Sequence, residues 1–236
     1  MASKFHVQLS EEWLTSCLSS LPSPLPSQPA EKDFDDEDLD EEYIYEVYTQ
    51  ILNNDIRDTV NSSTTNTAKL RNAIKKSIQQ AGEAGEGSRV TVGEDFMMMV
   101  QVDELVDVSM NAEHRAERGA SRTQGFANPG YYRGRCLKLA MSDGWVKSGP
   151  SGGVSGGFVL PVVAMEVSPI PDLSANTLAG CKVVLKGPFD VGAGVAMLGP
   201  GNVAVLGGSV DALVAMQEQA VEAGRRKYVG GTGGAT

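Results

Sequence analysis

The chain has 236 residues, 41% of them hydrophobic, with 27 glycines and 11 prolines, enough for one large domain or two small ones rich in turns. Its formal charge of -10 is local: Glu31 to Glu46 holds ten acids and one lysine, leaving the remainder close to neutral. A pI near 4.7 without a long basic stripe makes the chain a poor candidate for a strong autonomous DNA binder, because Lys and Arg neutralising phosphates supply that affinity; a protein partner is the better expectation.

The first third reads helical. Ser10 is placed to cap a helix with Glu11 and Glu12 in its first turn, and Trp13, Leu14, Cys17, Leu18 and Leu21 form one apolar face. The run PSPLPSQP stops it, and the acidic tract that follows is expected to be mobile. Helical spacing returns with Ile44, Val47, Tyr48, Ile51 and Leu52, ending at Asn53-Asn54. A third helix carries Leu70, Ala73, Ile74 and Ile78, after which GEAGEGS looks like a connector. Three short amphipathic helices predict a small bundle over residues 1–87, including the acidic linker.

From Val90 the period changes to that of strands. Phe96–Val108, Leu137–Met141, Val159–Val167, Cys181–Lys186, Val195–Leu198 and Val203–Leu206 are short apolar runs punctuated by Asp-Gly, Pro and Gly-Pro turns. About five strands predict a small barrel or sandwich. A last helix begins near Ser209, with Asp211 at its start and Arg225, Arg226 and Lys227 at its end. The Gly-rich tail, 229–236, is expected to be disordered. Two interruptions stand out: Asn111 to Arg133, a loop long enough to be either functional or disordered, and the Gly/Ser linker Lys147 to Gly157.

The chemistry of an enzyme is missing from the sequence. Only His6 and His114 exist, and both read as surface histidines. Cys17, Cys136 and Cys181 are far apart and lack CxxC spacing, so neither a disulfide framework nor a metal site is expected, and the compartment is a reducing one. Gly199, Gly201 and Ala204 satisfy GxGxxA, but a strand-like run follows them where a phosphate site needs a helix start. Asp103/Glu104 and Glu41/Glu42 read as solvated acids. No leader and no membrane anchor is expected, and no cofactor.

Four ordered motifs after Cys136 carry a resemblance. They are Ser142-Asp143-Gly144; Met165-Glu166 with Pro169-Ile170-Pro171; Lys182-Val183 with Leu185 and Gly187; and Pro200, Asn202, Val203, Val205, Leu206, Gly207 and Gly208. Together they resemble the OB-fold domain of the RecQ-mediated genome instability protein 1 family. VDELVDVS looks like the family's first barrel strand, and WLTSCL with ILNNDIRD like its helical region. The likeness is weakest over 22–42.

The resemblance implies an α+β chain: an N-terminal three-helix bundle, then a five-stranded OB-fold barrel over 88–228 with a long insertion loop and a C-terminal helix. It implies a nuclear, non-enzymatic scaffold that binds topoisomerase III and a RecQ-family helicase in dissolving double Holliday junctions, touching DNA only within that complex. The loop 111–133 occupies the place of the family's insertion into the topoisomerase gate. Arg115, Arg118, Arg122 and Arg133, with Phe126, Pro129, Tyr131 and Tyr132, are its candidate partner-binding residues, aromatic and Arg being the types that dominate interface energies. Asp143, Gly144, Met165, Glu166, Pro169, Pro171, Pro200, Asn202, Gly207 and Gly208 are expected to serve the fold first. No second OB domain is expected after the barrel, since nothing that follows it here is long enough for one. The alternative is an autonomous single-stranded-DNA-binding OB protein, disfavoured by aromatic residues making up only 6% of the chain, against the stacking platforms such proteins need.

Overall fold

The computed structural model describes residues 8–21, 36–60, 65–84, 88–109, 135–144 and 161–229. Among these residues, five α-helices and eight strands appear in the order α1 (Glu11–Ser20), α2 (Asp36–Asn53), α3 (Ile56–Thr59), α4 (Thr65–Ala84), β1 (Arg89–Val92), β2 (Met97–Asp107), β3 (Leu137–Ser142), β4 (Val162–Glu166), β5 (Cys181–Lys186), β6 (Phe189–Gly192), β7 (Val195–Leu198), β8 (Val203–Gly207) and α5 (Asp211–Val229).

Ser10 caps α1 as its sequence requires, accepting from the Trp13 amide at 3.3 Å. Asp55 does the same for α3 through the Arg57 amide at 2.9 Å. Helix α2 starts at Asp36, inside the tract expected to be mobile. Helix α4 likewise runs through Gly82 to Ala84, part of the expected connector. Helix α5 begins two residues later than expected, at Asp211.

The strands form one sheet in the order β1-β6-β7-β4-β3-β2-β5-β8, eight strands where the sequence predicts about five. Two of the additional strands, β1 and β6, are four residues each and pair with one another, too short to announce themselves by periodicity. Strands β7 and β8 are separated only by Gly199 and the 3-10 turn Pro200–Asn202. Yet β7 lies parallel to β4 while β8 lies antiparallel to β5.

Strand β2 explains the imperfect alternation in its sequence. Met98, Val100 and Val102 enter the main core with Leu137, Leu139, Met141, Val183 and Leu185. Met99, on the opposite face, belongs to a second cluster with Cys17, Val47, Ile51 and Ile56, against which Trp13, Leu14 and Leu206 pack. The strand is therefore apolar on both sides.

The expected three-helix bundle divides along the same line. Helices α1, α2 and α3 cover one face of the sheet, whereas Leu70, Ala73 and Ile74 of α4 join the main core beside Val92 and Phe96. Each helix has too narrow an apolar stripe to bury it on another helix alone, and the sheet offers the larger apolar surface. Ile78, expected on the buried stripe of α4, is 54% exposed.

Candidate functional site

The residues assigned to partner binding, Arg115, Arg118, Arg122, Phe126, Pro129, Tyr131, Tyr132 and Arg133, lie outside the described residues, as do both histidines. The structure does show where that segment leaves and rejoins the sheet. The Val108 amide donates to the Cys136 carbonyl at 2.8 Å, so the last paired residues before and after the segment face each other.

Both feet of this stem are pinned by buried acids. On the outgoing side, Asp107 Oδ1 accepts from the Ser109 amide at 3.0 Å and hydroxyl at 2.6 Å, and from the Cys136 amide at 3.3 Å. One carboxylate oxygen thus ties β2 to the start of β3. On the returning side, Arg135 donates from Nε to Glu166 Oε2 at 3.1 Å and from Nη2 to Glu166 Oε1. Its remaining donors reach the carbonyls of Leu173 at 2.8 Å and Ile170 at 3.0 Å.

Glu166 is buried at the end of β4 and also accepts the amides of Leu137 at 3.2 Å and Ile170 at 2.7 Å. A buried ion pair is tolerable only when its lone pairs and protons are hydrogen-bonded in this way. The exposed Pro169 and Pro171 flank buried Ile170, fixing the chain exit that Arg135 grips. Burial, with Glu166 and Asp107 nearby, raises the pKa of the Cys136 thiol and keeps it protonated.

The outward face beside this stem is apolar. Val108 is 39% exposed and Val167 62%, on either side of the half-buried Cys136. Half-buried Met165 and Met197 face each other in register on β4 and β7, as do Val163 and Val195.

The other motif residues sit at junctions. Asp143, at the end of β3, receives a bidentate Arg71 from α4 at 2.7 and 2.8 Å. Gly144 follows with φ +75, a left-handed turn that favours glycine. Asn202 accepts the Gly199 amide at 3.0 Å and donates to the carbonyls of Lys186 and Pro188, tying the turn opened by Pro200 to the β5–β6 connection. Gly207 and Gly208 have φ +95 and +81, and a Cβ on Gly208 would meet the Leu52 carbonyl oxygen at 2.2 Å.

Sequence reasoning missed a buried polar seam between the helices and the sheet. Gln101, fully buried in an otherwise apolar strand, accepts the Ile56 amide at 2.9 Å. Its amide group donates to Asp103 at 2.7 Å, and Asp103 in turn accepts from Ser142. Asp103 is therefore not the solvated acid expected.

Lys182, also fully buried, donates to the Gly180 carbonyl at 2.8 Å and the Leu52 carbonyl at 3.1 Å. Burial brings its pKa down to about 8 despite the opposing pull of Asp55 and Asp103. At Asp55 burial works toward a raised pKa, but hydrogen bonds from Arg57 and its charge outweigh it and leave the carboxyl below its ordinary range. The available signal was a Gln and a Lys placed within runs otherwise fit for a core. Among the described residues, no group of three His, Cys, Asp or Glu is arranged to hold a metal ion, and no helix is long and apolar enough to cross a membrane.

Comparison with known proteins bears on this geometry. Residues 153–221 match the family model described as RMI1, N-terminal OB-fold domain, a span covering β4 through most of α5. RecQ-mediated genome instability protein 1 of Xenopus laevis is 35% identical over 131 residues, 51% of this chain and 21% of that protein. The Danio rerio protein of the same name is 26% identical over 231 residues, 93% of this chain and 37% of its own length. The Arabidopsis thaliana protein is 35% identical over 126 residues, 53% of this chain and 15% of its own. The chain thus spans well under half the length of these relatives. The motifs at the sheet's junctions, the matching OB-fold domain and relatives from animals and a plant agree: the chain carries a region similar to the N-terminal OB-fold domain of RecQ-mediated genome instability protein 1.

Proposed function

We propose that this chain is a non-catalytic scaffold subunit of a nuclear genome-maintenance complex, binding topoisomerase III and a RecQ-family helicase and promoting dissolution of double Holliday junctions. The observation that carries the reading is the stem. A chain segment with four arginines and three aromatics leaves and rejoins the sheet between Asp107 and Arg135, and both feet are fixed by buried, fully hydrogen-bonded acids. Rigid feet suit a segment that must reach into a partner in a set direction, since positioning by the scaffold lowers the ordering cost of binding. The names of the relatives place those proteins with RecQ and genome stability.

In this reading the OB-fold body is a five-strand barrel. Strands β2, β3, β4 and β5 supply four members, and the β7–turn–β8 run is the fifth, joining β4 on one side to β5 on the other. The apolar row beside the stem, with Val108, Val167 and Met165, docks on the topoisomerase, while the segment 111–133 contacts one state of its gate better than the other. Such a difference is what a regulator needs to shift a conformational equilibrium.

Size-exclusion chromatography of the chain with topoisomerase III from the same source tests the reading. A co-eluting complex is expected, and deletion of 111–133 should keep the complex but weaken stimulation of strand passage. Separate elution with an active topoisomerase would overturn it. Tight, salt-dependent binding of single-stranded DNA by the isolated chain would favour the autonomous binder instead.

A further inference from the structure

Strand β1 is the terminal strand of the sheet, with β6 as its only strand neighbour among the described residues. In an antiparallel pair, alternate residues turn their N–H and C=O groups away from the partner, so the outer edge of β1 presents a short row of backbone donors and acceptors. Folded proteins commonly cover such an edge with a helix or loop. Here α4 packs against the inner face of β1 through Leu70 and Ala73, beside Val92 and Phe96. Its outer residues stand back from the edge. They leave an open cleft of about 410 Å³, walled by Lys69, Asn72 and Lys76 and floored by Val90 and Thr91, with Asp95 at one end.

The charge of the cleft selects among occupants. Lys69 and Lys76 are two turns apart on one side of α4, about 10 Å along its axis. Asp95 is the single acid in the lining, and it is paired with Lys69 at 2.7 Å. Both partners are solvent-accessible, with side-chain exposures of 45% and 74%, and exposed pairs of this kind exchange partners at little cost. The site already holds one carboxylate on Lys69, which leaves Lys76 to take a second.

We propose that the β1 edge and the lysines of α4 form a docking groove for an extended, acidic segment of a partner protein, which adds a strand to the sheet. Main-chain hydrogen bonds to β1 supply affinity, and acids at alternate positions of the segment reach Lys69 and Lys76. Residues two apart on one face of a strand lie about 6.7 Å apart, within the play of two long lysine side chains. The groove is a different surface from the insertion stem, and the inference stands independently of the topoisomerase reading.

The test uses the full chain and a fluorescein-labelled decapeptide of alternating valine and glutamate, followed by anisotropy. Saturable binding is expected, weakened at least tenfold by the double variant Lys69→Glu/Lys76→Glu and retained by Lys69→Arg/Lys76→Arg. These lysines are exposed, and an unchanged melting curve checks that the variants fold. Two N-methylated versions of the peptide give the decisive comparison, one methylated on the valine amides and one on the glutamate amides. An added strand uses only one of these sets, so one version should fail to bind and the other should bind normally. Absence of saturable binding, indifference to charge reversal, or equal behaviour of the two methylated peptides would each overturn the proposal.

Discussion

Arg71 of α4 meets Asp143 at the end of β3 in a two-pronged pair, with side chains 22% and 1% exposed. The helix is thereby fastened to the sheet just beyond the end of β3. Removing one partner of a buried pair costs about 3–5 kcal/mol, far more than an exposed pair contributes. Arg71→Ala should therefore lower stability by about 3 kcal/mol in urea unfolding. Arg71→Lys should restore only part of it, because an ammonium lacks the planar fork. A loss under about 0.5 kcal/mol, the range of ordinary surface substitutions, would show that the clasp contributes nothing.

Glu166→Gln tests the stem. The substitution keeps the size of the side chain but removes the charge that Arg135 grips, and it puts an amide N–H₂ where one carboxylate oxygen accepts. A loss of about 3 kcal/mol is expected. Amide hydrogen exchange at Leu137 and Ile170, whose N–H groups donate to Glu166, should quicken more than exchange elsewhere in the sheet. Uniform change across the sheet would mean that Glu166 stabilises the fold without holding the stem in particular.

Lys182 makes stability depend on pH in a window set by its depressed pKa, about 8 against an ordinary 10.5. Below pH 8 the lysine is protonated in both states, and the fold bears the full cost of burying the charge. Between pH 8 and 10.5 the unfolded chain holds a proton that the folded chain has released, so stability rises with pH. Compared with Lys182→Met, which does not titrate, the native chain should gain on the order of 3 kcal/mol across that window. Parallel urea titrations at pH 7 and pH 10.5 measure it. A difference between the two proteins that stays flat with pH would sink the assignment.

Gly208→Ala probes how closely helix and sheet approach. The new Cβ would meet the Leu52 oxygen at 2.2 Å, and the φ of +81 disfavours any side chain. The C-terminal end of α2 must then move, disturbing the Lys182–Leu52 contact as well. Destabilisation of roughly 2–4 kcal/mol is expected, from the backbone strain and the displaced contact together. Gly207→Ala, with φ +95 but open space around it, should cost less. Equal losses would point to strain alone.

Turn chemistry and periodicity were legible because they depend on neighbours in sequence. Ser10 caps α1, Asp143-Gly144 turns the chain after β3, and the apolar runs became β2, β3, β4, β5, β7 and β8. The family resemblance was also in the sequence, since four motifs in a fixed order are a linear signal. The four-residue strands β1 and β6 were hidden, because pairing with each other, and not local preference, makes them strands.

What the sequence determined by itself was therefore most of the longer elements, several of the turns between them and the family resemblance. Only the tertiary structure decided that α4 leaves the other helices for the main core, and that Arg135, just outside the expected loop, clamps Glu166 across 31 residues. Nor does sequence reveal that Gln101 and Lys182 are buried at a seam between helices and sheet. A buried polar side chain is stable only beside a partner that satisfies it, and that partner is brought from elsewhere in the chain by folding.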